Sequence, residues 1–500
     1  MNKDVNVVIN DELNIRIDTV NYEYLDGVKK FFTEKVDGYM FSHLFKSGKW
    51  SGDKCIFSTT SRKLPYGLLF DLIRFTREKH PDVPFNIDLD VIALFKGIDD
   101  PDFTWNLKYY PRDYQEDIVR VAIKHRKGLI VSATASGKSL SIAYIIKELM
   151  KIDVEKSLII VPTIGLVTQF YTDLLDYGIY EELLGQVGGK KKEFDKQIVI
   201  STWQSLKTPK GKPNPHASEL KQFDCVIIDE CHSASASVLH DTLKHLPNSS
   251  WRFGFTGTLP KCRLDELLVR SYIGPVLKTY TSKDLSDDGY ISKCTINMMD
   301  INYSHKLPSK LEYVAVREEV FIKQYRIGLI KHICEMTDHT MIITIDKIKE
   351  GEILELELRE RFPERQVVFI SGKDSAEERE KWRLIANDVK DLILIATSQV
   401  IAAGVNIPSL KTVLLASASK SYIRIIQTIG RALRKHVDKE ETGAIIWDLV
   451  DNVKYLKKHG DIRHRHYTFE RHTINEYDVF ENSGTYDFKE KIDEKDIISY

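Results

Sequence analysis

Short, wholly apolar runs recur along this chain, and they constrain its fold more than any other feature. Between residues 105 and 285 they read GLIVSA, SLIIVP, QIVIST, CVIID and RFGFTG, with helix-like segments between them. A brief apolar run without polar alternation is buried on both faces, as in a strand inside a parallel sheet. The intervening segments are then the crossover helices that parallel pairing requires. The rhythm lapses around 281–312, which reads as a connection. It returns between 341 and 449 as MIITI, QVVFI, LILIA, TVLLA and AIIWDL. The expected fold class is α/β, with two tandem parallel-sheet domains. A site shared by two such domains is expected in the cleft between them, near the carboxyl ends of the strands.

The first hundred residues follow another pattern. Leu13, Ile15 and Ile17 alternate with Asn14, Arg16 and Asp18, which predicts a strand with one buried face. Helical periodicity is expected around Tyr22 to Val36 and again from Leu68 to about His80. Pro81, Pro84 and the turn Asp99-Asp100-Pro101 mark a boundary. The chain therefore divides into a small α/β domain (1–100), a first parallel-sheet domain (101–285), a second (286–455) and a C-terminal extension (456–500). The extension is expected to cap the second domain and then fray.

Composition narrows the function. The net charge is −1, so the protein is not a polycation, and any nucleic-acid site must be a local patch. The six cysteines stand at 55, 225, 231, 262, 294 and 334 without a C-x-x-C pair, which argues against a zinc ribbon or a disulfide framework. No apolar run approaches the roughly 20 residues that a bilayer requires, and the start MNKDVNVVIND has no signal-peptide core. A cytoplasmic protein is expected.

Two stretches carry chemistry. The strand Gly128–Ala133 runs into TASGKS and then a helical segment, the layout of a phosphate-binding loop. Ser136 and Gly137 would let backbone N–H groups turn toward an anion. Lys138 would supply a charge for the β- and γ-phosphates, and Ser139 a hydroxyl for Mg²⁺. The usual first glycine is replaced by Ser132, so an ordinary strand-to-helix turn stays open on this stretch alone. About 90 residues later CVIID ends in Asp229-Glu230, followed by Cys231 and His232. In phosphate-loop ATPases an acid at such a position holds Mg²⁺. Asp229 is thus the expected metal partner and Glu230 the expected base. His232 is expected to bridge the ATP site to the other domain rather than to bind zinc, and Cys231 to pack.

These stretches belong to an ordered set that resembles the superfamily 2 helicases. PRDYQ (111–115) resembles the adenine-side motif, with Arg112 and Gln115. SATASGKS resembles motif I, VPTIGLVTQ (161–169) motif Ia, STWQS (201–205) motif Ib, DECH (229–232) motif II and TGT (256–258) motif III. ATSQVIAAGVNIP (396–408) resembles motif V and QTIGRALR (427–434) motif VI. The resemblance implies two RecA-like domains that close on ATP. It implies nucleotide contacts from Gly404 and Gln427, coupling through Thr256 and Thr258, and contacts to a nucleic-acid backbone from Thr163, Gln169, Thr202, Trp203 and Thr397. Trp203 could equally be a core aromatic. On a helix Gln427, Arg431 and Arg434 share one face while Ile426, Ile429 and Leu433 share another, which suits Arg431 and Arg434 as arginine fingers.

The spellings DECH, TGT and QTIGRALR are closer to DNA-directed translocases related to XPB and to restriction-enzyme motors than to RNA helicases of the DEAD-box type. Residues 36–69 interleave Lys46, Lys49, Lys54, Arg62 and Lys63 with Phe41, Phe45, Trp50 and Tyr66. Such a mixture suits phosphate contacts beside a packed or stacking platform. Lys46, Lys49, Trp50, Arg62 and Lys63 are the candidate contacts. The same block carries D-G-Y, G-x-W and L-P-x-G-L elements similar to those of UvsW-type phage helicases. That resemblance implies an ATP- and Mg²⁺-dependent motor that remodels branched or forked DNA and R-loops with 3′-to-5′ polarity. It implies a host-cell cytoplasmic location and phage recombination and replication proteins as partners. A monomer is expected. An RNA-directed motor and a nucleotide-switched annealing protein are the alternatives.

Overall fold

The structure is a computed structural model. It describes residues 4–99, 101–152, 154–209, 211–233, 236–260, 262–304, 312–389, 391–402, 407, 409–417, 428–430, 443–481 and 489–490. Two compact units divide near Tyr280.

The first unit begins with a four-stranded sheet in the order Lys63–Pro65, Asn14–Asp18, Val5–Asp11, Phe85–Ile87. Alternation sets its buried face: Val5, Val7, Ile15 and Ile17 are fully buried, whereas Asn6 and Arg16 are exposed. The helices Tyr22–Phe31 and Leu69–Lys79 cover that face and meet where the Tyr24 and Thr76 hydroxyls lie 2.7 Å apart. The first helix stops short of the predicted Val36. Thr33–Lys35 instead pairs antiparallel with Asp53–Cys55. These two short strands form the base of an excursion that carries Met40, Phe41, Lys46 and Lys49.

An eight-stranded sheet follows in the same unit. Its order is Lys191–Lys192, Leu184–Gly188, Ile198–Thr202, Ser157–Val161, Cys225–Ile228, Trp251–Thr256, Lys127–Ser132, Val276–Tyr280. All neighbours are parallel except the short first edge strand. The apolar runs make its centre, and every residue of Ser157–Val161, Cys225–Ile228 and Trp251–Thr256 is buried. In a parallel sheet all carboxyl ends point one way. This brings the ends of five motif-bearing strands to a single edge.

Helix Arg263–Ile273 carries much of the contact between the N-terminal domain and this sheet domain, with Arg252 and Lys127 also against Tyr66. Arg270 makes a short ion pair with Asp71, and Arg263 pairs with Glu34 at 3.1 Å. The Tyr66 hydroxyl donates to the Tyr272 carbonyl at 2.5 Å. A Cβ on Gly67 would lie 1.9 Å from the Arg270 carbonyl oxygen, so only glycine permits this approach. The L-P-x-G-L element is therefore a docking element here. Tyr66 is buried, so of the packed and stacking alternatives for these aromatics it takes the packed one.

The second unit holds another eight-stranded sheet. Its order is Gln366–Ile370, Leu392–Thr397, Met341–Ile345, Thr412–Leu415, Ala444–Asp451, Cys294–Asn302, Thr473–Phe480, Lys489–Glu490. Two segments depart from expectation. Part of the stretch read as a connection is the nine-residue strand Cys294–Asn302. In the segment read as an extension, helix Lys454–Phe469 packs on the sheet and Thr473–Phe480 adds a strand beside Cys294–Asn302. Ion pairs secure these additions: Arg463 grips Asp448 in a buried pair at 2.8 Å, and the partly exposed Lys457 holds Asp300 at 2.8 Å.

Candidate active site

The phosphate loop leaves strand Lys127–Ser132 and enters helix Lys138–Leu149. Its turn needs left-handed backbone at Gly137 (φ 71°), and Ala135 shares that conformation at φ 70° despite its side chain. Glu230 is likewise left-handed (φ 48°). Such backbone is costly for non-glycine residues and persists where the surrounding structure enforces it, commonly at functional sites.

Around this loop the sequence candidates converge. Lys138 Nζ lies 3.5 Å from Glu230 Oε1 and 3.4 Å from the Ser132 carbonyl. Glu230 Oε2 lies 3.3 Å from His232 Nδ1. His232 Nδ1 is also 2.6 Å from Thr256 Oγ1. The Thr256 hydroxyl donates to the Thr258 carbonyl at 2.7 Å, and accepts from the Thr258 N–H at 3.3 Å. Its single proton is thus committed, so His232 must donate from Nδ1. Burial lowers the His232 pKa, which favours the neutral ring. Lys138 and Glu230 thus form one close pair, and His232, Thr256 and Thr258 form a hydrogen-bonded chain whose imidazole stands 3.3 Å from the Glu230 carboxylate.

Asp229 sits at the end of strand Cys225–Ile228 and is buried. Burial, and then the neighbouring Glu230 charge, push its pKa up to about 7, with Lys138 opposing. Its Oδ1 has no hydrogen-bond partner among the described residues. An unpartnered buried carboxylate oxygen that resists ionisation alone is suited to a divalent cation, so Asp229 fits the Mg²⁺ role. The Ser139 hydroxyl, the other candidate ligand, lies 2.7 Å from the Tyr177 hydroxyl. Cys231 is fully buried, with its sulfur over the bare Cα of Gly254.

A pH prediction follows. The folded-state pKa of Asp229 lies above its ordinary value of 3.8, so the fold binds this proton more tightly than the unfolded chain does. Without metal, stability falls as pH rises from about 4 to about 7 and falls no further above that. Asp229→Asn removes this loss. Its melting temperature should exceed the wild-type value by a few degrees at pH 8 and match it near pH 4. An equal offset at both pH values would contradict a buried protonated carboxyl.

The other candidates divide. Gln115 is buried; its Oε1 accepts from the Arg112 N–H at 2.9 Å and its Nε2 donates to the Gly137 carbonyl at 3.2 Å. Arg112 is exposed and reaches the Tyr114 hydroxyl at 3.3 Å. Ser136 is buried in the loop. Thr163 caps helix Ile164–Asp176, and Gln169 lies half-buried within that helix. Thr202 is buried and caps helix Trp203–Leu206. Trp203 lies in the core at 5% exposure, so its expected contact with nucleic acid gives way to the packing role. Thr397 ends a strand of the second sheet and is buried. In the N-terminal domain Lys46 and Lys49 are exposed and Arg62 is half-buried. Lys63 pairs with Asp11 at 3.0 Å, and the Trp50 indole donates to the Asp53 carbonyl at 2.9 Å. Both of these have structural partners. Gly404, Gln427, Arg431 and Arg434 lie outside the described residues. Tyr177 was not singled out in the sequence, because nothing in local spacing ties it to Ser139.

Comparison with known proteins agrees with this layout. Residues 4–88 match the family "DNA helicase UvsW, N-terminal", 108–261 match "Type III restriction enzyme, res subunit", and 325–436 match "Helicase conserved C-terminal domain". The chain is 27% identical to the ATP-dependent DNA helicase uvsW of Enterobacteria phage T4, over 94% of this chain and 98% of that one. It is 25% identical to the DNA 3′-5′ translocase XPB2 of Sulfurisphaera tokodaii, over 81% of this chain and 93% of that one. The solved structure of S. cerevisiae Dbp5 bound to RNA and ADP BeF3 shares the fold at a TM-score of 0.53 and 14% identity, covering 75% of this chain and 91% of that one. No helix among the described residues is long and apolar enough to cross a membrane. With matches to two helicase domains and to a UvsW-type N-terminal domain, the chain is a UvsW-like ATP-dependent DNA helicase.

Proposed function

We propose that this enzyme is an ATP-dependent DNA helicase that remodels branched DNA: migration of four-way junctions, regression of forks and unwinding of R-loops, with 3′-to-5′ polarity. The observation that carries the reading is the union of the Lys138–Glu230–His232–Thr256 cluster with a UvsW-type domain docked on the same body. In this reading Lys138 and the loop N–H groups hold the β- and γ-phosphates, and Glu230 takes a proton from the attacking water. Asp229 and Ser139 would hold Mg²⁺, which offsets the charge of the phosphates. His232 and Thr256 pass the state of Glu230 to Thr258. By the family resemblance Gly404 and Gln427 would be nucleotide contacts, and Arg431 and Arg434 the arginines that act on the transferring phosphoryl group. Thr163 and Gln169, less buried than Thr202, would lie along the strand path. Work in phage replication, recombination and repair, in the host cytoplasm and as a monomer, accords with this activity.

Among the aromatics of the N-terminal patch, Phe41 is the one turned outward, at 79% exposure, with Met40 and Leu44 also exposed. Phe45 packs edge-on against Tyr39 at 4.8 Å. Phe41, beside Lys46 and Lys49, is therefore the residue suited to stack on an unpaired base at a branch. Phe41→Ala should weaken junction binding by about 1–3 kcal/mol, a loss of roughly five- to 150-fold, and leave binding to linear duplex unchanged. Fluorescence anisotropy on both DNAs checks this, and an equal loss on both would remove the branch-specific role.

The direct test of the function is conversion of a labelled mobile four-way junction by the full chain with ATP. Lys138→Ala should abolish conversion. Failure of the wild-type chain to convert junctions while it hydrolyses ATP would overturn the branched-DNA reading.

A further inference from the structure

The Ser139 hydroxyl carries one proton and two lone pairs. To offer a lone pair to a cation it must send its proton elsewhere, and among the described residues the Tyr177 hydroxyl lies within hydrogen-bond distance, 2.7 Å away. Tyr177 is itself held on several sides. It caps helix Ile164–Asp176, with its N–H donating to the Asp173 carbonyl at 2.9 Å. Its carbonyl accepts from the Lys108 N–H at 3.0 Å, and its ring meets Tyr109 edge-on at 5.9 Å. Tyr109 in turn donates from its hydroxyl to Asp176 at 2.9 Å, and its carbonyl accepts from the Tyr144 hydroxyl at 2.9 Å. Tyr144 lies on the same helix as Ser139. The ring is thus fixed to the helix that carries Ser139, to the helix that Thr163 begins, and to the segment just before Arg112.

We propose that Tyr177 is a positioning residue for the nucleotide-bound metal. Its hydroxyl accepts the Ser139 proton and so orients a serine lone pair toward Mg²⁺. The proposal rests on the ATP-site reading above and deepens it. It predicts a defect in the metal-dependent part of nucleotide binding, because the hydroxyl in question is bonded to Ser139. Outer partners of metal ligands typically contribute about 10–100-fold in metal affinity.

The test is binding of a fluorescent ADP analogue to the full chain, first in EDTA and then titrated with Mg²⁺. Tyr177→Phe keeps the ring and removes one oxygen. It should bind the analogue like wild type in EDTA and need about tenfold more Mg²⁺ for half of the metal-dependent tightening. Superimposable Mg²⁺ titrations would overturn the proposal. In a Ser139→Ala background, Tyr177→Phe should add nothing; a further loss there would mean that Tyr177 acts by another route, and would also overturn it. This cycle compares variants that share any general loss of stability, so it stays decisive if Tyr177→Phe is less stable. Lys138→Ala separates the two readings. If it binds the analogue as well as wild type, the ATP-site assignment fails, whatever Tyr177 does.

Discussion

Glu230→Gln is expected to lower ATP turnover by roughly 10²–10⁴-fold while nucleotide binding is kept. The reason is local. Glu230 lies against Lys138 on one oxygen and His232 on the other, on backbone held in a left-handed turn. Asp229, the neighbouring acid, is buried at the end of its strand, where it fits the cation role instead. The amide keeps the shape of the carboxylate but cannot take a proton from water. Steady-state turnover and equilibrium nucleotide binding, measured on the same preparation, separate the two effects. Turnover that persists in Glu230→Gln would contradict the base assignment.

The second large effect lies far from the phosphates. Asp71 and Arg270 form a short ion pair between the N-terminal domain and the helix Arg263–Ile273, with only 5% and 13% of their side chains exposed. Removal of one partner strands a buried charge, which typically costs about 3–5 kcal/mol. Arg74 and Glu266 flank the pair and soften the loss, since each can share part of the remaining charge. Asp71→Ala or Arg270→Ala should therefore loosen the N-terminal domain, seen as faster amide exchange at Tyr66–Leu72 and Tyr272. The double replacement should cost less than the sum of the two, because neither member of the buried pair is left without the other. Additive losses would mean that the pair is not a coupled contact. Helix Arg263–Ile273 begins soon after Thr258, so the N-terminal domain stands on an element that adjoins the ATP-site network.

The pattern of what was legible in the sequence has physical causes. Apolar runs report strands buried on both faces, so the central strands of both sheets were readable, and with them the edge where Ser132, Asp229 and Thr256 meet. Cys294–Asn302 was not readable because Asn297 and Asp300 interrupt its run. Asn297 accepts from Asn475 at 3.0 Å and Asp300 binds Lys457, partners more than 150 positions away. A buried polar residue is admissible only with such a partner, and a local window cannot see it. The same limit hid the docking role of Tyr66 and Gly67 and the Tyr177–Ser139 bond. Trp203 was ambiguous because an aromatic after a strand serves a core and a nucleic-acid groove equally well; its neighbours in space decide for the core. The helix from Tyr22 ended early because Thr33–Lys35 finds a strand partner at Asp53–Cys55, a tertiary pairing that outweighs local periodicity.

The central claim is that ATP hydrolysis at this site is driven by branched DNA. The most direct measurement is steady-state ATP hydrolysis by the full chain with matched single strand, linear duplex, fork, four-way junction, R-loop and single-stranded RNA. The account predicts the strongest stimulation by fork and four-way junction. Strongest stimulation by RNA, or by linear duplex over every branched form, would contradict it.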